Sequence, residues 1–158
     1  MPNGYRVQQI TADDLELMDG FLHTCGVAFN EPETYSGKRP DPEYMRSLLG
    51  SDYFIAIVAV KDGMVVGGLA AYELKKFEQE RSEIYIYDLA VLDEHRRQGI
   101  ATALIQELKK VAAVRRAYVI FVQADTGEED EAAIALYTKL GTKESVLHFD
   151  ISVEGAGT

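Results

Sequence analysis

Apolar positions along the chain fall into alternating runs and helical stripes, and the switches between the two periods mark the elements. Tyr5 to Gln9 reads as a short opening strand. Thr11-Ala12-Asp13-Asp14 then has the form of a helix start, a side-chain cap with acids in the first turn, and Leu15, Met18 and Leu22 follow at helical spacing. Asp41-Pro42-Glu43 opens a second helix with Pro at its first position, burying Met45, Leu48 and Leu49. Two strands, Tyr53 to Lys61 and Val65 to Leu74, are joined by Asp62-Gly63, a strong hairpin signal. A polar connection leads to a strand from Glu83 to Leu92. The next helix, from about Gly99 to Val114, carries Ile100, Leu104, Leu108 and Val111 as one stripe. Ala117 to Ala124 is nearly all apolar, as expected of a strand covered on both faces. A short helix ends at Leu140 with Gly141 as its stop, and a last strand spans Ser145 to Ile151.

The resulting order, β-α-α-β-β-β-α-β-α-β, predicts an α/β fold. Its sheet is mixed and mostly antiparallel, with one parallel β-α-β crossover and helices on both faces. A single domain is expected over residues 1–152, with 153–158 a flexible tail. All four prolines, Pro2, Pro32, Pro40 and Pro42, lie in the first quarter, so irregular structure concentrates between about Gly26 and Pro42. Loops of that length in compact domains are commonly binding loops or lids, which makes Tyr35 a candidate to cover substrate.

Composition narrows the chemistry. The 158 residues are 47% hydrophobic and 27% charged, an ordinary globular balance. The single cysteine, Cys25, excludes an intramolecular disulfide framework and any CxxC zinc site, and His23, His95 and His148 are too scattered for a metal. A formal net charge of −10 speaks against a nonspecific nucleic-acid binder and suits a polycationic small molecule. No run approaches the length of a bilayer span, and the N-terminus has no secretory pattern, so no membrane partner and a cytoplasmic location are expected.

The informative stretch is Asp88-Leu89-Ala90-Val91-Leu92-Asp93-Glu94-His95-Arg96-Arg97-Gln98-Gly99-Ile100-Ala101-Thr102. A strand ends, two arginines and a glutamine arrive, and a helix opens at a glycine followed by small residues. Such a helix start offers unpaired N–H groups and a positive dipole end to an anion. The Gly-Lys-Ser/Thr of a Walker loop and the GxGxxG of a dinucleotide fold are both absent, so a diphosphate here belongs to a cofactor other than ATP or NAD. Taken alone, Arg96 and Arg97 fit a solvated basic turn equally well. Their place between strand and helix favours the phosphate.

Arg96-Arg97-Gln98-Gly99-Ile100-Ala101 resembles the acetyl-CoA signature of the GNAT (GCN5-related) N-acetyltransferases. The preceding strand Ile84 to Leu92, the crossover Ala117 to Ala124 and the helix end Ala135-Leu136-Tyr137-Thr138-Lys139-Leu140-Gly141 match in order. Phe77-Glu78-Gln79, Arg81 to Val91, Glu94 to Ile105 and the helix end look like the gentamicin-type aminoglycoside 3-N-acetyltransferases. The resemblance implies acetylation of the 3-amino group of a deoxystreptamine ring from acetyl-CoA, with no metal. Transfer is direct in a ternary complex, and the product confers antibiotic resistance. An acceptor that is a polyamine or a protein lysine, or a non-catalytic acetyl-CoA-binding module, are the rival readings.

By the same resemblance Leu89, Ala90 and Val91 lie where the strand splays to admit the pantetheine arm. Arg96, Arg97, Gln98, Gly99, Ile100, Ala101 and Thr102 wrap the diphosphate. Acetyl transfer to an ammonium needs a proton acceptor, an oxyanion stabiliser and a proton for the thiolate. Asp88 is the candidate base or amine-positioning carboxylate. In strict alternation it shares a face with Ile84, Ile86 and Ala90, where partial burial raises its proton affinity. The competing reading is an Asp that bonds backbone groups at a bulge. Tyr137 matches the family's proton donor, and its helix turns Ala133, Leu136 and Leu140 inward, which also suits a core tyrosine. Five acids lie between Asp125 and Glu131. Asp125 follows the crossover strand at its ligand-binding end, and Asp125, Asp88 and a neighbouring acid such as Glu128 are expected to pair with the aminoglycoside's ammonium groups. The last strand leaves an edge that a homodimer would cover.

Overall fold

The computed structural model describes residues 4–155, so Ala156 to Thr158 of the expected tail lie outside the described residues. The chain forms a larger unit up to Gln123 and a smaller one from Ala124. The larger unit holds a five-stranded sheet in the order β1-β2-β3-β4-β5, comprising Tyr5–Gln9, Phe54–Lys61, Met64–Lys75, Ser82–Val91 and Ala117–Val122. The first four strands pair antiparallel and β4 pairs β5 parallel, as the crossover pattern requires. Asp62 and Gly63 both take positive φ, 52° and 77°, the conformation of the tight hairpin turn between β2 and β3.

Helix α1 (Leu15–Ala28) and helix α2 (Pro42–Leu49) cover one face. There Met18, Phe21, Cys25, Met45 and Leu49 bury against Phe54, Ala56, Val58, Val60, Ala70 and Ala90. Leu48 is only partly buried. Asp41 caps α2 through its carboxylate, which accepts from Glu43 N at 2.8 Å. At α1 the expected cap takes another form. Asp14 occupies the N-cap position, yet its carboxylate turns back to accept from Thr11 N and Oγ1, both at 3.0 Å. The helix also runs through Gly26, where the sequence suggested a loop. The loop that follows contains one π-helical turn, Glu33–Gly37.

Helix α3 (Ile100–Val114) provides the crossover and packs against β2 to β5 on the opposite face. Ile100, Leu104 and Leu108 are buried, and Val111 is half-buried. Strand β5 departs from expectation. Tyr118 and Val119 are exposed, because β5 is an edge of the sheet rather than an interior strand.

In the smaller unit helix α4 (Glu131–Leu140) forms as expected, with Gly141 at its end. Leu140 is exposed rather than turned inward, while Ala133 and Leu136 are half-buried. Ser145 to Ile151 adopts no strand. Its alternating pattern supplies strand propensity, but a strand exists only when a neighbour accepts its hydrogen bonds, and none does among the described residues.

Candidate active site

The position of Asp88 follows from a bulge. β3 and β4 pair as Ala70↔Asp88 and then Ala71↔Ile86, so Tyr87 is the extra residue on β4. Cross-strand partners share a face, and the shift therefore separates Asp88 from Ile84 and Ile86. Those two isoleucines lie with Ala71 on the α3 face. Asp88 lies with Ala70 and Ala90 on the α1/α2 face. Strict alternation had placed Asp88 with Ile84, Ile86 and Ala90 together, and the bulge corrects that grouping.

Asp88 is half-buried there, and burial raises its proton affinity above that of an ordinary aspartate. The Tyr35 hydroxyl donates to Asp88 Oδ2 at 3.1 Å and pulls the other way, while the charge of Glu31 adds to the upward push. Tyr35 reaches this point because its loop folds back on α1. Glu31 N donates to Gly26 O at 2.9 Å, Tyr35 N to Glu31 O at 3.3 Å, and the rings of Phe29 and Tyr35 sit 5.7 Å apart. A Cβ on Gly26 would stand 3.3 Å from Pro32 Cα and 3.5 Å from Tyr35 Cβ, so glycine lets the loop close on the helix. The structure thus joins two of the expected site residues, Tyr35 and Asp88. It adds Glu31, which no local motif marks. Cys25 lies close by, 1% exposed, its thiol pushed up by burial and then by the Asp88 charge, so it is no nucleophile.

The ladder between β4 and β5 ends at Ile86↔Val122. From Tyr87 to Val91, β4 pairs only with β3, and its other edge has no partner strand among the described residues. Leu89, Ala90 and Val91 therefore border an opening in the sheet. Just beyond, the 3-10 turn Asp93–His95 leads into a turn where Arg97 and Gly99 both take positive φ, 64° and 78°. Gly99 is the N-cap of α3, and no side chain caps the helix. Helical hydrogen bonding begins with Ala103 N donating to Gly99 O at 2.9 Å, which leaves the N–H groups of Ile100, Ala101 and Thr102 outside the helix ladder. This donor set fits an anion. Arg97 is exposed, whereas Arg96 is engaged within the turn, its guanidinium 3.1 Å from Asp93 and 3.4 Å from Val91 O.

The remaining expected residues belong to the smaller unit. Asp125 N donates to the Asp130 carboxylate at 2.8 Å, Glu128 opens the 3-10 turn Glu128–Asp130, and Tyr137 is half-buried on α4. Among the described residues no three His, Cys, Asp or Glu side chains gather as a metal site requires.

Residues 22–142 match the model of the acetyltransferase (GNAT) family. The chain belongs to the GNAT acetyltransferases. Members of this family use acetyl-CoA as donor, which fits the anion-binding turn at the start of α3. A solved aminoglycoside acetyltransferase from an uncultured soil metagenomic sample is 65% identical to this GNAT chain, with a TM-score of 0.93 over 95% of this chain and 99% of the other. A second soil-derived aminoglycoside acetyltransferase, solved with sisomicin, is 28% identical, with a TM-score of 0.86 over 97% and 99% of the two chains. The catalytic subunit NAA10 of the Arabidopsis thaliana N-terminal acetyltransferase A complex is 31% identical over 87% of this chain. The chain spans only 41% of the first curated relative it matches, a Rattus norvegicus N-acetyltransferase family 8 member, and 66% of the Arabidopsis subunit. No helix among the described residues is long and apolar enough to cross a membrane.

Proposed function

We propose that this GNAT chain acetylates an amino group of an aminoglycoside from acetyl-CoA and so confers resistance. By resemblance to the gentamicin-type enzymes, the acceptor is the 3-amino group of the deoxystreptamine ring. One observation carries the reading. A carboxylate of raised proton affinity sits at a bulge on the strand that opens beside the anion-binding turn. The 65% identity to an aminoglycoside acetyltransferase over 95% of this chain supports the acceptor class.

In this reading the N–H groups from Arg97 to Thr102 hold the donor's diphosphate, with Arg96 shaping the turn through Asp93. Leu89, Ala90 and Val91 line the pantetheine arm. Bound there, acetyl-CoA supplies an acetyl group activated as a thioester. Asp88 takes one proton of the incoming ammonium, and the neutral amine forms the new N–C bond as the C–S bond breaks. The second proton released from the nitrogen passes through solvent to make good the one Tyr137 gives to sulfur. The Val91 N–H stabilises the carbonyl oxygen, and Tyr137 returns a proton to the departing sulfur. Tyr35 meets the acceptor, and Asp125 and Glu128 pair with its further ammonium groups. The resemblance implies direct transfer without an acetyl-enzyme, and the buried, protonated Cys25 agrees with it.

Coenzyme A release in the presence of gentamicin, spermidine or a lysine peptide tests the acceptor. Turnover with gentamicin far above the other two is expected, and preference for the peptide or the polyamine overturns the reading. Tyr137→Phe is expected to lower kcat roughly 10²-fold with little change in the KM for acetyl-CoA, as loss of a general acid does. Unchanged turnover removes Tyr137 from the mechanism.

A further inference from the structure

On the face that carries Asp88, aromatic rings run across four strands. Phe54 of β2 contacts Tyr72 of β3 at 5.2 Å between centroids. Tyr72 meets Tyr87 of β4 edge-on at 5.8 Å, and Tyr87 meets Tyr85 edge-on at 5.9 Å. Tyr85 stacks on Phe121 of β5 at 4.8 Å with an interplanar angle of 4°. Tyr44 and Tyr53 stand close enough to Tyr72 to act electrostatically on its hydroxyl, as does Asp88.

Such a row is more than core. Phe54 anchors it at 4% exposure, but Tyr87, Tyr44 and Tyr53 are 60%, 64% and 48% exposed. The same bulge that turns Asp88 onto this face makes Tyr87 the extra residue, edge-on to both Tyr72 and Tyr85, whose hydroxyls feel the Asp88 charge. The result is a partly open aromatic floor, rich in hydroxyls, with Asp88 and Glu31 supplying negative charge at its edge. A saturated ring bearing hydroxyls and ammonium groups meets every feature of this floor. Its C–H face covers an aromatic ring, its cations lie over the negative ring faces, and its polar rim bonds phenol oxygens. A linear diamine or a lysine side chain presents no ring face.

We propose that Tyr72, Tyr85 and Tyr87 form the acceptor-binding floor, with Tyr87 the main platform, and that it selects an amino-sugar ring over an open-chain amine. The inference rests on the aminoglycoside reading above and assigns the residues that enforce it. Tyr87→Ala is expected to raise the KM for sisomicin about tenfold while kcat changes little, the mark of lost binding common to ground and transition states. Tyr87→Phe keeps the KM much nearer the wild-type value than Tyr87→Ala does, since the ring is the platform and the hydroxyl adds only a bond at its rim. In proton NMR, sugar-ring protons of sisomicin shift upfield on the wild-type protein and lose that shift with Tyr87→Ala. If wild-type enzyme acetylates sisomicin and Tyr87→Ala leaves both KM and the shifts as they were, the floor is overturned and the acceptor reading stands. If wild-type enzyme neither binds nor acetylates sisomicin, both fall.

Discussion

At Asp88, burial and hydrogen bonding pull in opposite directions. Burial holds the carboxyl protonated to higher pH than an ordinary aspartate, and the Tyr35 hydroxyl offsets part of that shift. Removing the hydroxyl with Tyr35→Phe takes away the opposing influence. With Asp88 as the proposed base, the acid limb of the kcat/KM profile is then expected to move to higher pH. A limb that stays in place separates Tyr35 from the base. Stability carries the same sign. The folded state disfavours the ionised form, so wild-type stability falls as pH rises from the unfolded pKa of aspartate through the raised folded value. Asp88→Asn removes that cost and keeps an acceptor for Tyr35. Its Tm is expected to exceed the wild-type Tm at pH 7 and to converge with it below the ordinary aspartate range, as thermal scans at the two pH values will show. The sequence marks Asp88 by its place before the motif. It gives no sign that Tyr35, fifty-three positions earlier, would donate to it.

Elements with a strong local cause are legible from the chain. The Asp62-Gly63 turn, the Asp41 cap and the α3 stripe all form where the pattern puts them. Elements that depend on a distant partner are not. The bulge at Tyr87 is a property of the β3–β4 register, and it reassigns the face of every residue after it. The final stretch has the alternation of a strand but no neighbour to pair with among the described residues. The packing of α1 on the sheet rests on Gly68, whose added Cβ would lie 2.6 Å from Phe21 Cδ1 and 3.0 Å from the Ile57 carbonyl oxygen. Gly68→Ala must therefore displace the Phe21 ring, and a loss of about 1–3 kcal/mol is expected in urea denaturation. A neutral result would show that the Phe21 ring yields freely.

Across the whole molecule, a net charge of −10 favours a polycation over an anionic donor. In the proposed reading the donor is held by backbone N–H groups at a helix start, whose fixed geometry depends less on bulk charge than the proposed carboxylate–ammonium pairs do. Raising salt is expected to increase the KM for the aminoglycoside far more than the KM for acetyl-CoA, and equal sensitivity would count against carboxylate recognition. Fold class, the turn before α3 and the strand opening all follow from the motif and its context. The aromatic row proposed as an acceptor floor does not, because its rings come from strands distant in sequence. The most direct measurement is steady-state acetyl transfer from acetyl-CoA to sisomicin by wild-type protein and Asp88→Asn. The expected result is a wild-type enzyme that monoacetylates sisomicin and a variant roughly 10²–10⁴-fold slower in kcat with the KM for acetyl-CoA retained; a variant that turns over at the wild-type rate contradicts it.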